Sequence, residues 1–291
     1  MDQIRPGCGI PLHPDRAYLE RIRPILETGV DFVELSPEAL WTVEGGSREA
    51  REFFLELREQ RRFEFVAHAL TYSVGTEPIA GDGRQARWLE RFAEDQAEFE
   101  FAWASVHLGF AAHGEQHVAL PLPLPNSQEA AAVVAANLRR LGEVVPKAAF
   151  ENWAGLFSLD DALRDGLFFR SICDQSGGAL LLDLHNVYTH ARNAGIDPDE
   201  YLDGIVLDDV LEIHLSGGSE SDPRWLASGR SMRLDSHDGA VPEWVWEAAG
   251  RVVPRCPNLR CVLLERIPES LRDEHVPAFL AEFDRLRGLL C

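Results

Sequence analysis

ALLLDLHNVY, residues 179–188, decides the fold. It opens as a continuous apolar run, the pattern of a strand buried on both faces in a parallel sheet. It then reaches Asp183, a side chain that a metal can use. Five more runs repeat the design: FEFVAHA (63–69), WASVHLG (103–109), AAFENWAG (148–155), VLEIHLSGG (210–218) and CVLLERI (261–267). They carry His68, His107, Glu151, His214 and Glu265. Imidazoles and carboxylates at the carboxyl ends of successive buried strands are the pattern of a barrel active site.

Outward from these runs the chain alternates throughout. GCGIPL (7–12) and VDFVELS (30–36) complete a set of eight strands. Amphipathic stretches separate them. DRAYLERIRPILETG (15–29) spaces its apolar residues helically and stops at a glycine. SREAREFFLELREQRR (47–62) opens on a serine cap. SLDDALRDGLFFRSICDQ is read as a helix from Ser158, and PESLRDEHVPAFLAEFDRLRGLL as one from residue 268. Eight strands alternating with eight helices predict an α/β protein, a single (β/α)8 TIM barrel whose catalytic domain spans residues 1–291. The longest irregular stretch, AAHGEQHVALPLPLPN (111–126), is expected to be an extended, proline-held loop over the barrel mouth.

The balance of 48 acidic against 28 basic residues leaves a formal charge of −20. That argues against a sequence-independent nucleic-acid surface and against an anionic membrane surface. No apolar stretch reaches the length of a membrane span, and MDQIRPGCGIPLHP lacks the apolar segment of a secretory signal. Five scattered cysteines without a CxxC pair are expected to be reduced thiols in a cytoplasmic protein.

Taken singly, each candidate has a plain explanation. A lone histidine in an apolar strand is more often a hydrogen-bonded core residue, and a lone carboxylate at a strand end can cap the next helix. Together the plain explanations fail. A closed barrel brings the six strand ends into one mouth, where three carboxylates repel and shift toward protonation unless cations compensate them. LDSHDG adds Asp235 and His237 from a loop. Mixed imidazole and carboxylate ligation suits iron, manganese or zinc. His13, His113, His117, His190 and His275 are read as structural. So is His185, taken to face away from the pocket by strand alternation.

LLLDLHNVYTHARNAGIDP (180–198), EIHLSGG, LDSHDGAVPEWVW and LLERI, in that order, resemble the multinuclear non-heme iron-dependent oxidases. GIPL, VELSPEALW, SVHLGF, PLPLPNSQEAA and ENWAG extend the resemblance over nearly the whole chain. The resemblance implies a xylose-isomerase-like barrel that modifies a ribosomally made precursor peptide, most often at cysteine. It implies two to three iron ions of mixed ferrous and ferric state, with dioxygen as co-substrate. An iron-bound thiolate would lose hydrogen from the carbon beside sulfur to an iron–superoxo group. A small companion protein that recognises the leader peptide is implied as partner. His68 and His107 would hold one iron, with Glu151 bridging to a second that takes Asp183, His214 and Glu265. Asn186, Asp235 and His237 would bound a third. Some members have histidine where Asn186 stands, and many have an acidic residue where Val106 stands.

Other readings share the barrel type. Sugar isomerases and tri-metal phosphodiesterases also ligate metals at strand ends, polarising carbonyl or phosphoryl oxygens. The charge of −20 disfavours a DNA substrate, and Lys147, the chain's one lysine, precedes its strand at the amino end. A non-catalytic peptide-binding scaffold would not require three carboxylates facing three imidazoles.

Overall fold

The computed structural model describes residues 5–42, 47–77, 83–113 and 116–291, with the backbone alone at 42, 47, 119 and 120. In chain order the strands are β1 (Gly7–Leu12), β2 (Phe32–Leu35), β3 (Glu64–Ala69), β4 (Ala104–His107), β5 (Phe110–His113), β6 (Gln116–Leu122), β7 (Ala148–Glu151), β8 (Ala179–Asp183), β9 (Val210–Leu215) and β10 (Cys261–Leu264). Eight of them close a barrel in the order β1-β10-β9-β8-β7-β4-β3-β2. Every neighbouring pair in the barrel is parallel. The helices are α1 (Arg16–Thr28), α2 (Pro37–Thr42), α3 (Ser47–Arg61), α4 (Gly83–Phe99), α5 (Gln128–Gly142), α6 (Asp165–Ser176), α7 (Leu184–Ala194), α8 (Pro198–Asp203), α9 (Glu243–Val252) and α10 (Val276–Leu290).

Local chemistry sets the helix starts. Asp15 caps α1 by accepting from the Tyr18 amide, and Ser127 caps α5 by accepting from the Ala130 amide. Helix α6 starts at Asp165 rather than Ser158, and α10 at Val276 rather than residue 268. Short 3-10 turns occupy part of each approach. The stretch 111–126 differs from the loop expected of it. Strands β5 and β6 pair antiparallel there, outside the barrel, and among the described residues of the stretch only 123–126 lie outside a strand.

A more consequential difference lies in ALLLDLHNVY. Strand β8 stops at Asp183 and α7 begins at once. Asp183 makes that switch, because its carboxylate accepts from the Asn186 amide and caps the helix. The Asn152 side chain clamps the same point, accepting from the Asp183 amide at 2.7 Å and donating to its carbonyl at 3.0 Å. His185 and Asn186 are therefore helical.

Inside the barrel, alternation sorts the side chains by height. Phe32, Val66, Trp103, Cys261 and Leu263 form an apolar cluster apart from the main core. The Phe32 and Trp103 rings sit 5.1 Å apart. Two residues further along the same strands come Glu34, His68, Ser105 and Glu265. Residues two apart in a strand share a face, so the apolar cluster is the floor on which the polar groups stand.

Candidate metal centre

Register brings the expected ligands together. Across β4 and β7, His107 pairs with Glu151; across β8 and β9, Asp183 pairs with His214. His68 and His107 meet through their Nε2 atoms at 2.9 Å. Glu151 Oε2 lies 3.4 Å from the first and 3.3 Å from the second. Ser105, one residue before Val106, bonds His68 Nδ1 at 2.8 Å and leaves Nε2 for this group. Glu151 also belongs to a second group with Asp183 and His214, and Asp183 to a third with Asp235 and His237. In each group the ligand atoms lie within 4.8 Å of one another.

Glu265 stands between groups, with Oε2 3.1 Å from His214 Nδ1 and Oε1 3.0 Å from His237 Nδ1. Asn186 meets the centre through two acceptors. Its amide nitrogen donates to Glu151 Oε1 at 2.9 Å and to the Asn152 carbonyl at 3.1 Å. The nitrogen must face those oxygens, so Oδ1 points elsewhere, and it is buried without a partner.

The loop carrying Asp235 and His237 is pressed against the end of β9. A Cβ on Gly217 would lie 2.1 Å from the Ala240 carbonyl oxygen, and one on Gly218 would lie 2.1 Å from that of Leu234. Only glycine permits this approach. His237 takes a left-handed φ of 48°, at a cost on the order of 1–3 kcal/mol. Its carbonyl accepts from the Ile267 amide and the Ser270 hydroxyl, which fix the turn.

Buried polar atoms are normally hydrogen-bonded. Here Glu151 Oε2, Asp183 Oδ2, Asn186 Oδ1, Asp235 Oδ1 and His237 Nε2 are not. Asp235 Oδ1 approaches His237 Nε2 to 2.6 Å without hydrogen-bond geometry. Asp183 divides its work, with Oδ1 capping α7 and Oδ2 left over. Oxygen and imidazole atoms aimed at common points without bonding one another fit cations, and the donor set fits iron, manganese or zinc.

The electrostatics agree. Burial, reinforced by Asp183, drives Glu151 well above the usual carboxylate range. Burial and Asp235 raise Asp183 to about 6. Burial, then His107, pushes His68 well below its usual value. Burial also opposes charge on His237 and Glu265, but each is overcome by the other and by their further partners, so His237 rises and Glu265 falls. The cluster thus divides into ion pairs and neutralised groups. A cation in each group would let all its carboxylates ionise.

Two carboxylates escaped the sequence reading. Glu34 on β2 and Glu212 on β9 are buried against the Nε2 side of His214, at 3.3 and 3.5 Å. Glu34 is raised to about 7 by burial, with Glu212 and Glu265 adding to it. Trp103 reaches up from the floor and donates to Glu212 at 2.7 Å. The signal was present: each is a carboxylate inside an otherwise apolar strand, and Glu212 precedes His214 by two, on the same face. Among histidines read as structural, His190 bonds the Ser158 hydroxyl and lies 3.4 Å from Asp165, away from the groups above. His185 is different. Its placement by strand alternation is wrong, because it lies on α7, and residues 183 and 185 of a strand would share a face in any case. It is fully buried, 3.5 Å from Asp235.

Residues 8–289 match the family model of the RiPP precursor modification enzymes MbnB/TglH/ChrH. The chain belongs to that family. Its members act on precursors of ribosomally synthesised, post-translationally modified peptides. A UPF0276 protein of Caulobacter vibrioides is 33% identical over 97% of this chain and 93% of its own. One from Pseudomonas aeruginosa is 32% identical over 97% and 92%. The fold is that of xylose-isomerase-like barrels. A xylose isomerase domain-containing protein of Salmonella typhimurium superposes with a TM-score of 0.62 at 14% identity, covering 98% of both chains. Endonuclease IV of Thermus thermophilus gives 0.58 at 17%, covering 97% of this chain and 100% of its own.

Proposed function

We propose that this RiPP modification enzyme is a multinuclear iron, dioxygen-dependent oxidase acting on a cysteine of its precursor peptide, with residues 1–291 as one catalytic domain. The observation that carries the reading is the set of unpartnered oxygen and imidazole atoms at the barrel mouth, sorted into four overlapping groups, three of which share Glu151 or Asp183 while Glu34 and Glu212 form the fourth with His214. His68, His107 and Glu151 would hold one iron. Glu151, Asp183, His214 and Glu265 would serve the second, and Asn186, Asp235 and His237 the third. Iron, when bound, supplies one-electron chemistry with dioxygen and an affinity for thiolate that no side chain here possesses.

The chain's own part is placement. Ser105 presents Nε2 of His68 to the centre. The Asp183 cap and the Asn152 clamp fix the end of β8 to within a hydrogen bond. Asn186 orients Glu151, the carboxylate common to two groups. The apolar floor excludes water from below and raises the strength of every charge interaction above it. A small companion protein would bring the leader peptide, and the cytoplasm would keep the five thiols reduced; all five are unpaired here. No helix among the described residues is long and apolar enough to cross a membrane.

The test is elemental analysis after expression with added iron, together with dioxygen consumption in the presence of precursor peptide. The expected result is two to three irons per chain and peptide-dependent oxygen uptake. Full activity with stoichiometric zinc, and an inactive iron form, would overturn the oxidase reading.

A further inference from the structure

His185 is buried on α7 with both ring nitrogens facing polar groups. On one side, Nε2 lies 3.3 Å from both Nε and Nη2 of Arg233. A guanidinium offers only donors, and the Thr189 hydroxyl, 3.4 Å from the same nitrogen, can turn its hydrogen toward it as well. Nε2 of His185 is therefore the acceptor and the ring hydrogen of the neutral imidazole sits on Nδ1. On the other side, Nδ1 lies 3.5 Å from Asp235 Oδ1, and neither atom has a hydrogen-bond partner. Arg233 is itself held. Its amide donates to Asn193 Oδ1 at 2.9 Å, and its guanidinium carbon lies 5.8 Å from the Tyr188 ring centre. The Gly218 backbone closes against the His185 ring, where a Cβ would come within 2.9 Å of Cε1.

Asp235 Oδ1 is thus contested. It stands 2.6 Å from His237 Nε2 and 3.5 Å from His185 Nδ1. An imidazole nitrogen that ligates a cation has no hydrogen left to donate, so once His237 Nε2 is ligated, the N–H of His185 is the remaining donor toward that carboxylate. We infer that His185 is a positioning residue for Asp235 at the third metal position, with Arg233 fixing the tautomer it needs. The inference rests on the reading of Asp235 and His237 as ligands. It gives the third position a support that its neutral Asn186 ligand does not supply. Carboxylates aimed by such a hydrogen bond lose roughly 10–100-fold in metal affinity when the donor is removed.

The experiment titrates the full chain, freed of metal, with iron(II) under anaerobic conditions and follows occupancy by elemental analysis. Wild type should take up three irons, the last most weakly. His185→Leu should weaken that last iron roughly tenfold or more and leave the first two unchanged. His185→Asn should restore much of it, since its amide N–H stands near the place of Nδ1–H. Arg233→Met, on a partly exposed side chain, should weaken the same iron while folding normally. Nitrogen-15 NMR of the histidines in the metal-free protein gives a reading that a merely packed ring would not predict: hydrogen on Nδ1 in wild type, and a shift toward Nε2–H in Arg233→Met. Should His185→Leu fail to fold, Arg233→Met and the NMR tautomer decide. If wild type holds three irons and all variants hold them equally, or if the hydrogen sits on Nε2, the inference fails while the three-group centre stands. If wild type holds two irons and no third, the third position fails and takes the inference with it, while the other two positions stand.

Discussion

The floor of the barrel and its mouth lie two residues apart on the same strands, yet they obey opposite rules. Phe32, Val66, Trp103, Cys261 and Leu263 fill the floor as any core is filled, by shape and exclusion of water. One step along, Glu34, His68, His214 and Glu265 are equally buried or nearly so, but their polar atoms face one another with few hydrogen bonds to settle them. The floor is stable as it stands. The mouth is not, because ionised carboxylates in a dry site repel unless a cation joins them. The difference teaches that the barrel's lower half supplies stability from which the upper half's unfavourable arrangement can draw. Trp103 joins the two, its ring in the floor and its N–H on Glu212.

The largest expected effect tests the mouth alone. Glu151→Ala should lose more than one metal and all turnover, because Glu151 is common to two of the groups. Elemental analysis beside peptide-dependent dioxygen uptake measures it. Loss of a single metal would show that Glu151 does not bridge.

The next effect belongs to the floor. Trp103→Ala should cost about 3–5 kcal/mol in denaturant unfolding of the metal-free protein, from cavity formation and a stranded Glu212. Its metal content should fall far less than that of Glu151→Ala. Equal metal loss in the two variants would dissolve the distinction between floor and mouth.

Acidity sharpens the same comparison. In the folded, metal-free protein Glu34 lies at about 7 and Asp183 at about 6, above their ordinary values of 4.5 and 3.8. Both folded-state values are raised, so the folded chain keeps protons that the unfolded chain releases. The stability these groups contribute is present at low pH and is lost as pH climbs from about 4 toward 7. His68 and His107, lowered by burial, act the other way below their usual value of 6.5. Glu34→Gln removes one contribution and, with it, the charge that does most to raise His214 against burial, a loss that acts in the same direction. Relative to wild type it should gain stability between pH 5 and pH 8, by an amount on the order of 2 kcal/mol. Thermal unfolding across that range is the measurement, and an unchanged difference would show that Glu34 is ionised throughout. Metal binding should become tighter over the same range, since the ligands must shed protons to bind.

The smallest effect concerns Asn186. A neutral amide donates less charge than an imidazole, so mild chelation should remove one metal ahead of the rest. Asn186→His should slow that loss several-fold without creating a new activity. Metal content against chelation time tests it. Release of all metals in one step, or an unchanged time course in the variant, would remove residue 186 from the ligands and leave a two-metal centre.

Periodicity made the barrel legible. Eight apolar runs, each bounded by amphipathic stretches, became eight parallel strands, because a strand buried on both faces can be written in few other ways. The antiparallel pairing of β5 and β6 was hidden, since the prolines of the stretch mask a pairing that forms outside the barrel. The boundary inside ALLLDLHNVY was hidden too. An apolar run does not say whether it continues as strand or as helix, and here a cap decides: Asp183 bonds the Asn186 amide and turns β8 into α7.

By itself, then, the sequence determined the eight barrel strands, their parallel sheet and the ligand-type groups at the ends of six of them, for these follow from the local order of apolar and polar residues. It could not determine who meets whom. The tertiary structure alone put His107 beside Glu151 and Asp183 beside His214, through registers set by the closure of the barrel. It alone brought Glu34 against His214, and turned His185 between Arg233 and Asp235. Those are contacts between residues tens to well over a hundred positions apart, and their distances depend on how far each strand is shifted against its neighbour, a quantity that no short stretch of chain encodes.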